Sequence, residues 1–83
     1  MSETTSTTPL ANAPLAGDRI LAIAQTDAIR MYQDLSRYSI RLTLEADGWH
    51  VDYEPKDPRL KGGGPHYVID AVTGVILRKR YEQ

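Results

Sequence analysis

The fold is decided by the stretch GGGPHYVIDAVTGVIL, residues 62–77. Its three glycines and Pro65 are typical of a loop. The runs 67–69 and 75–77 are apolar and rich in β-forming residues, and turn-forming residues from Asp70 to Gly74 separate them. The stretch therefore predicts a loop that leads into a β-hairpin, which we expect to extend over about residues 65–81.

Two more strands are predicted upstream of this loop. Apolar and polar residues alternate over Tyr38–Leu44 and again over Trp49–Tyr53, a period typical of half-buried strands. The segment Glu45–Gly48 between them has the composition of a tight turn. In the first strand the residues expected to face the core are Tyr38, Ile40, Leu42 and Leu44.

A helix is predicted over Arg19–Leu35, with Asp18 as its N-cap. Apolar residues recur there at helical spacing and form one stripe, Ile20, Ala24, Ala28, Met31 and Leu35. Residues 1–17 are rich in Ser, Thr and Pro, and they cannot bury enough apolar surface to offset the entropy lost on ordering. We therefore expect a disordered tail over 1–17 and a single domain over 18–83.

These elements predict an α+β fold of order α-β-β-β-β, with one N-terminal helix packed on one face of a four-stranded antiparallel sheet. A single helix leaves the opposite sheet face partly exposed. Such a face is suited to binding a partner or a second copy of the chain, so a homodimer is one of the expected states.

Composition narrows the classes of protein to consider. The chain has 83 residues and no Cys, so it has neither a disulfide nor a thiolate. No segment approaches the roughly 18–20 apolar residues that a membrane span needs, and the N-terminus lacks the pattern of a signal peptide. We expect a cytoplasmic protein that does not enter membranes, or a periplasmic one if a leader has been removed.

The formal net charge of −1 argues against nucleic acid as a partner. However, residues 56–83 hold six of the ten basic side chains and only three of the eleven acidic ones. The basic residues of this region are Lys56, Arg59, Lys61, Arg78, Lys79 and Arg80. They indicate either a basic face or a solvated loop and edge strand, where such charges discourage aggregation.

No catalytic, cofactor or metal site is predicted. The Gly62–Gly64 run precedes a strand, whereas phosphate-binding glycine loops open a helix. The two histidines, His50 and His66, lie on predicted strands without the spacing of a metal site. We therefore expect a protein that is not an enzyme.

The chain, chiefly from Tyr38 onward, resembles two groups of small bacterial proteins. The PepSY-type domain is similar in an alanine-bearing helix, a Trp-x-Val strand and a hairpin with an Asp-x-x-Thr-Gly turn; the matching residues are Ala22, Ala24, Ala28, Trp49, Val51, Ile69, Asp70, Thr73, Gly74 and Ile76. A family of immunity proteins described as nuclear transport factor 2-like is similar in Trp49-His50-Val51, Gly62-Gly63-Gly64-Pro65, Ile69-Asp70, Thr73-Gly74 and Tyr81-Glu82-Gln83. The glycine run before the hairpin favours the second group.

Both resemblances imply a protein-binding module. An immunity protein neutralises a toxin by covering its active site or a surface it needs, and a PepSY-type domain is associated with inhibiting or chaperoning a thermolysin-type metallopeptidase. Neither implies catalytic residues. The residues we expect to contact a protein partner are Lys61, Gly62, Gly63, Gly64, Pro65, His66, Arg78, Arg80 and Tyr81.

Overall fold

The structure is a computed structural model that describes residues 13–57, 59 and 63–82. It contains one helix, α1 (Gly17–Met31), and four strands, β1 (Tyr38–Glu45), β2 (Gly48–Pro55), β3 (Pro65–Ile69) and β4 (Ile76–Tyr81). The strands form one antiparallel sheet in the order β1-β2-β3-β4. The predicted α+β fold and element order are confirmed.

Two of the sequence predictions fall partly outside the described residues. These are the tail, over residues 1–12, and the loop positions Lys61 and Gly62. Leu15, which the sequence placed in the tail, is half-buried. Its N–H donates to the Ala71 carbonyl at 2.6 Å, and its carbonyl accepts from Trp49 Nε1 at 3.1 Å. The part of the chain that packs on the domain therefore begins before residue 18.

Helix α1 begins and ends earlier than the sequence predicts. Ala16 is the N-cap, and Asp18 lies in the first turn, where its carboxylate accepts a hydrogen bond from the adjacent Arg19 N–H. The prediction of Asp18 as the cap is therefore wrong, although a negative charge in the first turn still favours the helix dipole. The helix ends at Met31, because the backbone of Tyr32 is extended. Met31 itself is 58% exposed.

The core lies between α1 and the two central strands. On the helix, Ile20, Ala24 and Ala28 are buried, and the two alanines allow a close approach to the sheet. On β2 and β3 the buried residues are Val51, Tyr53, Tyr67 and Ile69. We call the sheet face under α1 the helix-side face and the other the open face.

Tyrosine supplies the aromatic core of this Phe-free chain. Tyr32, Tyr38, Tyr53 and Tyr67 follow one another with ring centroids 6.1–6.4 Å apart and near-perpendicular edge contacts. Their hydroxyl groups need hydrogen-bond acceptors, and Tyr32 donates to the Glu82 carbonyl at 2.6 Å. This bond ties the segment after the helix to the end of the chain.

A half-buried carboxylate joins the helix to β3 and β4. Asp27 Oδ2 accepts hydrogen bonds from Tyr67 Oη at 2.9 Å and Tyr81 Oη at 2.5 Å, and Asp27 Oδ1 accepts one from Lys79 Nζ at 3.1 Å. The Asp27 side chain is only 12% exposed. Burial raises its pKa, but the three hydrogen bonds outweigh burial and leave the pKa below its usual value.

The β3–β4 turn has the chemistry that the sequence predicts. Asp70 Oδ1 accepts from the N–H groups of Val72 and Thr73, each at 2.8 Å. Gly74 has a φ of 79° and donates to the Asp70 carbonyl at 3.0 Å. A residue with a Cβ is strained at that φ, which explains the glycine.

Strand β1 is less covered than its alternation predicts. The helix packs over β2 and β3, so it does not reach the outer half of β1. Leu42 is half-buried, but Ile40 and Leu44 are 44% and 45% exposed on the helix-side face. Two of the four residues expected in the core therefore face solvent.

Candidate interface on the open sheet face

The open face carries a grid of side chains from three strands. The register pairs His50 with Val68 and Val68 with Arg78, and it pairs Asp52 with His66 and His66 with Arg80. Because opposite residues in an antiparallel sheet project from the same face, these six form two parallel rows of three. Val68 is the only apolar member and is shorter than its flanking His and Arg neighbours.

These rows border a groove of about 390 Å³. Its lining consists of the six grid residues together with Tyr67 and Lys79. We call this groove, lined by His50, Asp52, His66, Val68, Arg78 and Arg80, the open-face groove. Its volume lies at the lower end of the range for small-molecule pockets and would also hold a few side chains of a partner.

One row of the open-face groove is held by a half-buried histidine. His66 Nδ1 lies 2.7 Å from Asp52 Oδ1. His66 Nε2 is buried and makes no hydrogen bond within the described part of the chain, and Glu82 Oε2 lies 3.5 Å from it. A Cβ atom at Gly63 would lie 3.6 Å from the same nitrogen and 2.7 Å from Glu82 Oε1, so a side chain there would require the Glu82 carboxylate to move.

The other row is held by an ion-pair network at the β1–β2 turn. Asp47 Oδ1 lies 2.7 Å from His50 Nε2, and Asp47 Oδ2 accepts from an Arg78 guanidinium nitrogen at 2.7 Å. The hydrogen bond with Asp47 raises the pKa of His50 above its ordinary value. Bonds from His50 and Arg78 lower the pKa of Asp47.

The same turn brings together three side chains of kinds that can bind metal ions. The sequence analysis did not predict this cluster. Glu45, Asp47 and His50 offer ligand atoms that all lie within 4.8 Å of one another. The Arg78 guanidinium already bonds Asp47 and places a positive charge beside the cluster. This arrangement favours an ion-pair network over a cation site.

The basic C-terminal run does not form a basic face. Alternation along β4 sends Arg78 and Arg80 to the open face, whereas Lys79 bonds Asp27 on the helix-side face. Arg80 pairs with Glu82 at 2.9 Å. Each of these cations thus has a carboxylate neighbour, and the solvated edge strand is the interpretation that the structure supports.

The structure brings together some of the predicted contact residues and separates others. His66, Arg78 and Arg80 line the open-face groove, and Gly63 borders it. Gly64 and Pro65 are buried in the core, and a Cβ atom at Gly64 would lie 2.7 Å from Tyr53 Cβ. Tyr81 lies on the helix-side face, bonded to Asp27.

The sequence-based list of contact residues left out five of the eight residues that line the groove: His50, Asp52, Tyr67, Val68 and Lys79. The alternation over Trp49–Tyr53 places His50 and Asp52 on one face of β2. The missing information was the register of β2 against β3, which sequence alone does not specify.

No protein-family model matches the chain, and comparisons with curated proteins and with solved structures return no match either. None of the described helices is long and apolar enough to cross a membrane. The case for function therefore rests on the geometry of the chain itself.

Proposed function

We propose that the chain is a small non-catalytic module that binds another protein through the open-face groove. The observation that carries this proposal is the one-sided packing, in which the helix covers one sheet face and the opposite face has a groove lined by paired histidines and arginines. The toxin of an immunity pair is the partner that the resemblance implies. A cytoplasmic location, which suits a Cys-free chain, belongs to the same proposal.

The charges of the groove suit a protein partner that presents a carboxylate. Arg78 and Arg80 are 65% and 69% exposed, and their ion pairs with Asp47 and Glu82 lie at the surface. Exposed ion pairs contribute on the order of 0–1 kcal/mol, so exchanging one internal carboxylate for an incoming one costs little. Val68 offers an apolar contact for the aliphatic stem of the incoming side chain.

The test is co-expression with the product of the neighbouring gene, with co-purification and protection of the host cell as readouts. Arg78→Glu is the probe variant, because it reverses a charge in the groove. Arg30→Glu is the matched control, since Arg30 is also an exposed arginine but lies in the last turn of α1. Equal urea midpoints for the two variants establish that both are folded.

We expect complex formation with the original chain and with Arg30→Glu, and at least a tenfold loss of affinity with Arg78→Glu. Equal binding by all three would refute the groove as the contact surface. No complex and no protection would refute the immunity role. Inhibition of a thermolysin-type metallopeptidase, measured with the same variants, would instead assign the groove to that class of partner.

A further inference from the structure

The two edges of the sheet differ in how they are protected. One edge strand, β4, carries Arg78, Lys79 and Arg80 in succession. Its pairing with β3 is irregular at Val68/Ile69. Charges and bulges of this kind prevent strand addition. The opposite edge, β1, is eight residues long, and Arg41 is the only charged residue before its last position.

The backbone groups on the outer edge of β1 can be assigned from the hairpin. Glu45 pairs with Gly48 across a two-residue turn, which places the hydrogen bonds of odd-numbered β1 residues toward β2. The Lys56 N–H donates to the carbonyl of Arg37, which is also an odd-numbered residue, so this bond follows the same pattern. The N–H and C=O groups of Ile40, Leu42 and Leu44 therefore point outward, where the described chain has no further strand.

The same even-numbered residues carry the uncovered apolar side chains. Ile40 and Leu44 are 44% and 45% exposed on the helix-side face, on either side of the half-buried Leu42. One edge thus combines outward-pointing hydrogen-bonding groups with an apolar row of the same three residues. Such an edge is a template for pairing with another strand.

We propose that β1 is a homodimer interface, in which β1 pairs antiparallel with β1 of a second copy about a two-fold axis at Leu42. In this register Leu42 lies opposite Leu42 of the partner subunit, and Ile40 lies opposite Leu44 of the partner subunit. The three outward-pointing residues on each copy would make six backbone hydrogen bonds. The exposed apolar side chains would cover one another.

The number of backbone hydrogen bonds and the facing side chains favour this register over its neighbours. A two-fold axis at Thr43 would place Arg41 opposite Glu45 of the partner subunit, but it would pair only Leu42 with Leu44, for four backbone hydrogen bonds, and leave Ile40 opposite the β1–β2 turn. A two-fold axis at Arg41 would place two guanidinium groups directly opposite, which is unfavourable. An axis at Ile40 would leave Leu44 unpaired and would require the Tyr38 N–H, which already donates to the Leu35 carbonyl at 3.2 Å. With the axis at Leu42, Arg41 lies opposite an uncharged Thr43, and its diagonal neighbours are Glu45 and Arg41 of the partner subunit, so no two guanidinium groups lie directly opposite.

The helices leave room for this pairing. Each helix sits over β2 and β3. With strands about 4.8 Å apart, the two helix axes would lie roughly 19 Å from each other on the same side of a continuous eight-stranded sheet. A helix with its side chains is about 10–12 Å wide, so the helices do not collide.

The oligomeric state of the full chain is tested by sedimentation from about 1 to 500 μM. We expect a monomer–dimer equilibrium, and Ile40→Lys should raise the dissociation constant at least tenfold. Leu77→Lys is the matched control, because Leu77 is also an exposed apolar residue (48%) but lies on the opposite edge strand. A monomer over the whole range, or equal dissociation of both variants, would overturn the proposal.

A second variant tests the backbone hydrogen bonds. Ile40→Pro removes an N–H that points away from the sheet, so the monomer should tolerate it, as edge strands do. The dimer should lose that bond and dissociate. An Ile40→Pro chain with an unchanged dissociation constant would overturn strand pairing at this edge.

Cysteine cross-linking tests the register in a chain that has no cysteine of its own. An equimolar mixture of Ile40→Cys and Leu44→Cys should form a disulfide-linked dimer containing one of each, because opposite Cα atoms lie about 5.5 Å apart. Ile40→Cys alone should not cross-link, since its two copies would lie roughly 14 Å apart along the strands. Cross-linking of Ile40→Cys alone, or none in the mixture, would overturn the Leu42-centred register.

Discussion

Replacing Asp27 should destabilise the domain strongly, because one carboxylate holds the helix to two strands. Its oxygens accept hydrogen bonds from Tyr67, Tyr81 and Lys79, and its side chain is 12% exposed. Removing the carboxylate leaves the hydroxyl groups of the buried Tyr67 and the half-buried Tyr81 without this acceptor. Hydrogen bonds to a charged group contribute about 1.5–3 kcal/mol each and are not additive.

From these values we expect Asp27→Ala to lower the free energy of unfolding by about 3 kcal/mol. Asp27→Asn keeps one acceptor oxygen, so its cost should be about 1–2 kcal/mol. A chain of this length has a total stability of roughly 4–12 kcal/mol, so either loss is measurable. With a urea slope near 1.5 kcal/mol/M, Asp27→Ala should lower the unfolding midpoint by about 2 M.

The assay is urea unfolding followed by the fluorescence of the single tryptophan, Trp49, which is half-buried against the core. Asp18→Asn is the matched control, because it removes a carboxylate from the exposed first turn of the same helix. Tyr81→Phe completes a double-mutant cycle with Asp27→Asn. A loss below about 0.5 kcal/mol for Asp27→Ala, or strict additivity in the cycle, would refute the reasoning.

The pH dependence gives a further check on Asp27. Its pKa is lowered in the folded chain, so its contribution is fully present above the unfolded pKa of about 3.9 and is lost as pH falls through the folded pKa. The difference in unfolding free energy between the original chain and Asp27→Asn should therefore be largest near pH 7 and should shrink below pH 4. A difference that is independent of pH would contradict an ionised Asp27.

Three further predictions concern other parts of the fold. Gly74→Ala should cost about 1–2 kcal/mol of unfolding free energy, because the φ of 79° at this position is left-handed; an unchanged urea midpoint would contradict it. Asp47→Asn should lower the pKa of His50, measured by NMR titration, and an unchanged titration would show that Asp47 is not the cause of the raised pKa. In the original chain, the stability contributed by His50 should be present below pH 6.5 and should be lost as pH rises through its raised folded pKa. Trp49→Phe should lower the free energy of unfolding by about 1 kcal/mol, because the hydrogen bond to the Leu15 carbonyl is lost. Hydrogen exchange at the Leu15 amide should become faster, and unchanged exchange would show that this bond does not hold Leu15 against the domain.

Local patterns predicted the elements well because each depends on neighbouring residues. The alternation over Tyr38–Leu44 and the turn chemistry of Asp70 and Gly74 specify a strand and a turn without reference to the rest of the chain. The helix end was less predictable. Leu35 continued the apolar spacing, but the backbone leaves the helix at Tyr32, whose side chain bonds the far end of the chain instead.

What the sequence could not predict depends on contacts between distant residues. The role of Asp27 requires knowing that its side chain meets residues of β3 and β4, because its hydrogen-bond donors are 40 to 54 residues away in sequence. The open-face groove requires the register that places His50 beside Val68. The exposure of Ile40 depends on how far across the sheet a single helix extends.

The two proposed surfaces are compatible and separable within one molecule. Pairing through β1 about an axis perpendicular to the sheet would place both helices on one side and both open-face grooves on the other. The β3 strands of the two copies would lie about 24 Å apart, five strand spacings, so each groove stays accessible. A dimeric protein partner with matching spacing would then bind both grooves at once and gain affinity by effective concentration rather than by new contacts. Ile40→Lys should abolish that gain while leaving the affinity of a single groove unchanged, whereas Arg78→Glu should weaken each groove and leave the dimer intact.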